Sequence, residues 1–289
     1  MLKNEAHVPA AEMPWTIQRP FRMRPGLARL SPAADAASPA LFLRDAQAGA
    51  YAVRKHKVLH SVPHRAPVGV ADPAVLAAIA QAYLAQTGVR LAPEADALAE
   101  GMQEDFVVLH DESDDGAGTM RARFLSVCFP SNWDPAGKLG MDFAAIHAPV
   151  ADNALLQAGA RGIIDMAFRQ APMLRHVWLL TPGGDLAQHP ETRRTRWDDA
   201  VAAADAAGGR LIDQVFFRVE RQTTLPLPTL RRGVFFIRVL VAPLTDVLAV
   251  APGRAAELRE ALLSMSDAVV AYRGMAAVRE RLCAELRPA

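Results

Sequence analysis

Arg218, Glu220 and Gln222 stand at every second position of the stretch Asp213 to Val241, DQVFFRVERQTTLPLPTLRRGVFFIRVLV, and alternate with Phe217, Val219 and Arg221. Two strands joined by a connection rich in Thr, Pro and Leu fit this pattern. A strand turns successive side chains to opposite faces, so the guanidinium, the carboxylate and the carboxamide share one face. Polar groups set so regularly in an apolar hairpin either pair with each other across the sheet or line a pocket. A second constellation lies in Tyr51 to His64, YAVRKHKVLHSVPH, where His56, His60 and His64 fall at i, i+4 and i+8. On a helix these stack on one face and could hold a metal ion. No acidic residue accompanies them in that stretch, and Pro63 disrupts the last turn, so the competing reading is a solvated basic face. The acidic run Asp111 to Asp115 lacks the full spacing of a calcium-binding EF-hand loop and reads as an exposed hairpin tip.

The 289 residues suffice for one large domain or for a domain with sizeable extensions. A hydrophobic content of 51% with 22% charged residues is ordinary for a soluble globular chain. A net charge of +1 gives no electrostatic reason to expect nucleic acid or an anionic membrane as partner. No apolar run is long enough to span a bilayer. The N-terminal MLKNEAHVPAAEMPW lacks the basic start and apolar core of a secretory signal, so the expected location is the cytoplasm. Cys128 and Cys283 are far apart and form no CxxC pair, which argues against a cysteine-ligated zinc or iron–sulfur site within this chain. Both read as structural thiols.

The elements that must position these groups follow in order. Residues 1 to about 50 are rich in Pro and Ala and read as an arm packed on a core. Asp72 to Ala85 reads as a buried helix with Asp72 as N-cap and Pro73 at the first turn, and Pro93 to Gly101 as a second helix. Asp105 to His110 and Met120 to Phe129 read as an antiparallel hairpin. Between residues 130 and 150, two short helices are expected, the second ending near His147, with Ser131 and Asp134 as possible caps. Ala154 to Gln170 reads as a longer helix, and Leu174 to Thr181 as a strand. A polar insertion from Gly183 to Gly209 carries a helix at Asp198 to Ala207. The hairpin described first follows, then one or two helices over residues 253 to 286. Two strands, a group of helices, then three strands is the strand order of a PAS-like domain.

The segments EDFVVLH, VCFPSNWDPAGKLGMDFAAIHAPV and FFRVERQTTLPLPTLRRGVFFIRVLVAPL resemble blocks of the heme-dependent oxidative N-demethylase family. The likeness runs from about Phe21 to Leu248 and rests on PSxW, KLG, IHAPV and RVERQT occurring in that order. It implies a PAS-like fold that binds heme b. It also implies an enzyme that removes a methyl group from a small secondary or tertiary alkylamine with dioxygen, releasing formaldehyde. In the family, electrons come from partner subunits carrying NADPH, flavin and iron–sulfur centres. This chain has no GxGxxG and no cysteine cluster, so electrons would have to arrive from another chain. Two positions depart from the family pattern. Ala151 follows IHAPV where the family continues with Pro, and the RxNW block reads Arg175, His176, Val177, Trp178, a change that would remove a polar pocket contact.

On this resemblance, His147 in IHAPV is the first candidate for the axial ligand of the iron, since neutral imidazole commonly fills that role. It alone of the eight histidines falls between the second and third expected strands. The competing reading is a buried histidine bonded to a backbone carbonyl near Pro149, and His176 is the rival ligand. Arg175 is the candidate donor to negative charge developing on oxygen. Glu220 is the candidate carboxylate for a substrate ammonium, against a cross-strand ion pair with Arg238 or a local one with Arg218. Arg218 or Arg238 could instead bind a heme propionate. Lys138 is either a propionate contact or a surface lysine. Gln222 and Thr223 could merely cap a strand end, and Trp133 and Trp178 read as core or pocket wall.

The expected architecture is α/β (α+β), with a PAS-like antiparallel five-stranded sheet, inserted helices and helical extensions at both ends. Residues 1–103 would form the N-terminal arm and helices, 104–249 the heme-binding core and 250–289 the C-terminal extension. The alternatives to an N-demethylase are a non-catalytic PAS-like heme or small-ligand sensor and a structural subunit with an empty pocket.

Overall fold

Among the described residues, seven antiparallel strands form one open sheet. In chain order they are β1 (Ala28–Arg29), β2 (Val68–Gly69), β3 (Asp105–Asp111), β4 (Met120–Ser126), β5 (Met173–Thr181), β6 (Phe216–Leu227) and β7 (Arg232–Pro243). Across the sheet they run β1-β5-β6-β7-β3-β4-β2. The computed structural model describes residues 7–31, 40–61, 66–112 and 119–287; His64 and the acidic tip from 113 to 118 lie outside them. The class is α+β. The five expected strands are β3 to β7, and the sheet exceeds five because β1 and β2 add two residues each at its edges. So short a strand carries no alternation from which a sequence pattern could reveal it.

Helices cover both faces. The N-terminal group is α1 (Ala48–Ser61), α2 (Pro73–Thr87) and α3 (Ala95–Gly101). Asp72 caps α2 as expected, accepting from the Ala74 amide at 3.1 Å, with Pro73 in the first turn. Val75, Leu76, Ile79 and Tyr83 of α2 then pack with Leu98 on Phe106, Val108, Phe124 and Phe236 of the sheet. On the other face lie α4 (Phe143–His147), α5 (Ala154–Ala158) and α6 (Ala160–Asp165). The polar insertion carries α7 (Trp197–Ala206), and the chain ends in α8 (Leu244–Ala249), α9 (Arg254–Leu263), α10 (Asp267–Tyr272) and α11 (Arg279–Glu285). These last helices share a buried cluster with Phe217, Val219 and Leu240 of the sheet and with Val8, Met13 and Phe21 of the arm. No helix among the described residues is long and apolar enough to cross a membrane.

The single helix expected over 154–170 is broken into three pieces. Gly159 ends α5 and begins α6, consistent with the weak helix propensity of glycine. After α6 the chain widens into a π turn, Met166–Gln170, closed by the Ala171 amide on the Met166 carbonyl at 3.2 Å. The turn brings Phe168 against Gly233 of β7, where an added Cβ would stand 2.8 Å from the Phe168 Cβ. Only glycine permits that approach.

Below the sheet, Lys55 of α1 is fully buried; its Nζ lies 2.9 Å from Asp105 Oδ1 and donates to the Glu104 carbonyl at 2.6 Å. Asp105 Oδ2 accepts from the Phe129 amide at 2.7 Å. Removing one member of a buried pair strands the other charge, which costs about 3–5 kcal/mol. Lys55→Ala is expected to lose stability on that scale in urea unfolding. A loss under about 1 kcal/mol, the scale of an exposed pair, would show that the contact does not hold α1 to the sheet.

Candidate functional site

One face of the sheet is not filled by its helices. Between it and α4, α5, α6 and the π turn lies a cavity of about 700 Å³, the size range of small-molecule sites. Alternation on the strands decides which side chains reach it. Arg175, Val177 and Leu179 of β5 line it, with Glu220, Gln222 and Thr224 of β6 and Phe235 and Ile237 of β7. The register sets Arg175 opposite Gln222 and Val177 opposite Glu220. Met23, Pro25 and Leu27 of the N-terminal segment and Tyr272 of α10 complete the wall.

His147 lines the cavity from the end of α4. A five-residue helix has little stability of its own, and its neighbours hold it. The Asp142 side chain accepts from the Ala145 amide at 2.9 Å, Gln157 donates to the Ala144 carbonyl at 3.1 Å, and Lys138 donates to the Ile146 carbonyl at 3.3 Å. Asn153 donates to the His147 carbonyl at 3.0 Å. The His147 ring lies against Phe143, with centroids 4.1 Å apart, and its Nδ1 is 2.8 Å from the Phe143 carbonyl. A carbonyl only accepts, so Nδ1 carries the proton and Nε2 presents a lone pair. Nε2 has no protein partner among the described residues. Burial pushes the imidazole below its ordinary pKa; the bond to Phe143 opposes this, and the charges of Arg175 and Lys138 add to it.

Arg175 is the second singular group. Its guanidinium has no hydrogen bond or ion pair among the described residues, although it is sunk in the cavity wall. Burial pushes it down from the usual arginine value, while Glu220 and Tyr272 pull the other way. Glu220 is held instead by neutral donors. Its Oε1 accepts from the Ser131 hydroxyl, and its Oε2 accepts from Gln222 Nε2 at 2.8 Å. Each oxygen keeps a further lone pair for a ligand. The anticipated cross-strand pair with Arg238 is not formed, because Arg238 stands opposite Arg221 and binds Asp45 at 2.7 Å on the other side of the sheet.

Lys138, His147, Arg175 and Glu220 therefore meet around one cavity, and Arg218, Arg238 and His176 do not line it. Arg218 shares the strand face of Glu220 but is fully buried. Its Nε donates to Ser131 Oγ at 2.8 Å, Nη1 to the Asp185 carbonyl at 3.1 Å, and Nη2 to the carbonyls of Phe129 and Leu186, each at 3.0 Å. Arg238 stacks on Tyr51, 3.8 Å from its ring centroid. His176 turns to the opposite face, in register with Arg221. Gln222 and Thr223 do not end their strand, which continues to Leu227. Trp133 is cavity wall and Trp178 is core on the far side.

The donor set fits a heme. A neutral imidazole with a free Nε2, mainly apolar walls and an unpaired guanidinium are what an iron ligand, a macrocycle and an anionic group require. Residues 82–283 match the family described as "Haem-dependent oxidative N-demethylase, alpha subunit-like", which covers well over half of the chain. The chain belongs to this family. No curated protein matches it.

In this N-demethylase-like chain, several groups around the site carry no local sequence signal of their role. Ser131 reads in sequence as a helix cap; it bridges Arg218 and Glu220 instead, while Asp134 does cap the turn after it, accepting from the Ala136 amide at 2.9 Å. The insertion supplies Arg194, which also lines the cavity and bonds Asn132 and Gln188. Arg273 lies between Phe21 and Trp178, 4.7 Å from each ring, and donates to the Trp178 carbonyl at 3.1 Å. The charged character of the insertion is the one signal that points to Arg194.

Two outcomes follow from this geometry. Ser131→Ala deletes the donor to Glu220 and the acceptor of Arg218 together, leaving buried groups unmatched at about 1–3 kcal/mol; urea unfolding should show a loss in that range, whereas Ser131→Thr, which keeps the hydroxyl, should recover most of it. In the ligand-free protein, the His147 ring should titrate below the ordinary histidine value of about 6.5. A depressed folded pKa means that the fold favours the neutral ring. Its stability contribution is present above about 6.5 and is lost as pH falls through the folded pKa. Ring-proton NMR of wild type and His147→Asn identifies the resonance, and a midpoint at or above 6.5 contradicts the described environment.

Proposed function

We propose that this chain is the heme-binding subunit of an oxidative N-demethylase acting on a small secondary or tertiary alkylamine. The observation that carries the proposal is the meeting, in one cavity, of His147, an Arg175 guanidinium and the Glu220 carboxylate, with His147 Nε2 and the guanidinium free of hydrogen bonds and ion pairs among the described residues. The order of the five long strands, with the first and last adjacent at the centre of the sheet, supports a PAS-like reading of the core. The reaction would convert an N-methylamine, dioxygen, two electrons and two protons into the demethylated amine, formaldehyde and water. The electrons would come from a partner reductase chain carrying NADPH, flavin and iron–sulfur centres, in keeping with the alpha-subunit description of the family.

Bound heme b would supply dioxygen activation and one-electron chemistry. The chain's own residues do the rest. His147 would ligate the iron through Nε2, its ring oriented by the Phe143 carbonyl. Glu220 would hold the substrate ammonium and accept its proton, with Ser131 and Gln222 fixing the carboxylate so that no reorganisation is needed on binding. Arg175 would offer N–H donors to negative charge developing beside the substrate methyl group. Lys138 holds α4 through the Ile146 carbonyl and so positions His147. Arg194, which lines the cavity, is better placed for a propionate than Arg218 or Arg238, which are fully buried and do not line it.

One observation favours a second reading. Val177 puts an apolar side chain directly opposite Glu220, and a non-catalytic heme or small-ligand sensor would need no further polar contact there. Reconstitution with heme separates the readings. Wild type should develop a Soret band that is lost or shifted in His147→Ala. With a reductase supplied, an N-methylamine should give formaldehyde, and Glu220→Gln should cut the rate by about 10²-fold or more while keeping the Soret band. Ligand-dependent spectral change without formaldehyde would support the sensor. Failure of wild type to take up heme would overturn the demethylase and leave a small-ligand binder, and an unchanged spectrum in His147→Ala would reject His147 as ligand.

A further inference from the structure

On the side of the molecule formed by α1 and α3, His56 and His60 stack their rings, with centroids 3.9 Å apart at an interplanar angle of 28°. Glu100 of α3 joins them. Its Oε1 lies 2.9 Å from His56 Nδ1 and 3.7 Å from His60 Nδ1. One ligand atom from each of the three residues lies within 4.8 Å of the others. The sequence offers no acid beside these histidines; the fold delivers one from 44 residues further along the chain.

We propose that His56, His60 and Glu100 bind a divalent first-row transition metal ion such as zinc, and that the ion ties α1 to α3. Two imidazoles and a carboxylate are a donor set that suits zinc and leave a fourth position for water. With zinc–ligand bonds of about 2.0–2.2 Å, donors on a tetrahedral ion stand about 3.4 Å apart. Closing the cluster from its present spread therefore needs only side-chain rotation. The histidine side chains are free to make it, being 59% exposed. The backbones beneath them are fixed, since Tyr51 and Leu59 of α1 share a buried cluster with Ala99 of α3. The His60 ring has its tautomer set by the helix, since its Nδ1 is 2.9 Å from the His56 carbonyl, which puts the proton there and leaves Nε2 as the atom to ligate after rotation. Without an ion, the same contacts amount to an exposed histidine–carboxylate pair of small energetic weight.

The test is zinc titration of the tag-free full chain against a chromophoric chelator. It is done in a His147→Ala background, so that the cavity imidazole cannot take the metal. One zinc per chain should bind and raise the unfolding temperature. His60→Ala and Glu100→Gln should each weaken binding at least about tenfold and abolish the rise, with far-UV circular dichroism unchanged because all three side chains lie at the surface. Equal zinc affinity in His60→Ala and its parent, or no uptake by the parent, overturns the site. None of these results depends on heme loading or on amine turnover.

Discussion

The burial of Arg218 is the constraint on which the site depends. A guanidinium with no water access must satisfy its donors inside the protein, and Arg218 does so with one hydroxyl and three carbonyls rather than with a carboxylate. Those acceptors come from segments far apart in the chain, the Phe129–Ser131 corner and the Asp185–Leu186 insertion. Desolvation pushes the group down to about 10, and the nearby charge of Glu220 holds it against a larger fall. The planar fork fixes directions as well as distances, which a lysine could not do. One consequence is that Ser131, bonded on one side to Arg218, has its hydroxyl proton free for Glu220. The carboxylate in the cavity is thus oriented by a cation that never reaches the cavity.

The cavity itself arises from a helix layer that does not close. Helix α4 is five residues long, the following helical stretch breaks at Gly159, and its last turn widens to a π turn. Each irregularity has a compensating contact. Side-chain amides of Asn153 and Gln157 and the Lys138 ammonium bind the carbonyls of α4, and Gly233 admits Phe168. A regular helix over the same residues would cover the strands. The irregular one leaves a cavity and sets an imidazole in its wall, in line with the tendency of π turns to occur at functional sites.

Much of this is legible in the residues. Period-two alternation from Phe217 to Gln222 marks the strand and puts Glu220 on the pocket face, because alternation is a local property of the backbone. Asp72 and Pro73 announce α2 for the same reason. What is not legible involves partners distant in sequence. Arg218 and Glu220 have the same sequence signature, yet one is sealed beneath Phe129 and Leu186 while the other is open to the cavity. Arg175 and His176 are adjacent, and only the sheet's two-sidedness decides that the first faces the cavity. Ser131 reads as a cap in any local window, since the side chains it bonds lie 87 and 89 positions away.

Arg175 gives the arrangement its direction. Several other cations of the interior have partners: Lys55 with Asp105, Arg238 with Asp45 and Tyr51, and the half-buried Arg273 with two aromatic rings and a carbonyl. Arg175 has no such partner among the described residues, and the carboxylate diagonal to it on the neighbouring strand is engaged by Ser131 and Gln222 instead. Had the two simply collapsed into an ion pair, the cavity would be a structural void. Keeping them apart leaves the Arg175 guanidinium and the Glu220 carboxylate facing the same space without an ion pair between them, a state that raises the free energy of the ligand-free chain. A ligand that meets either charge lowers it, so binding and folding stability are linked in this protein. The separation of Arg175 from Glu220 is therefore the strongest physical sign that the cavity is built to be filled.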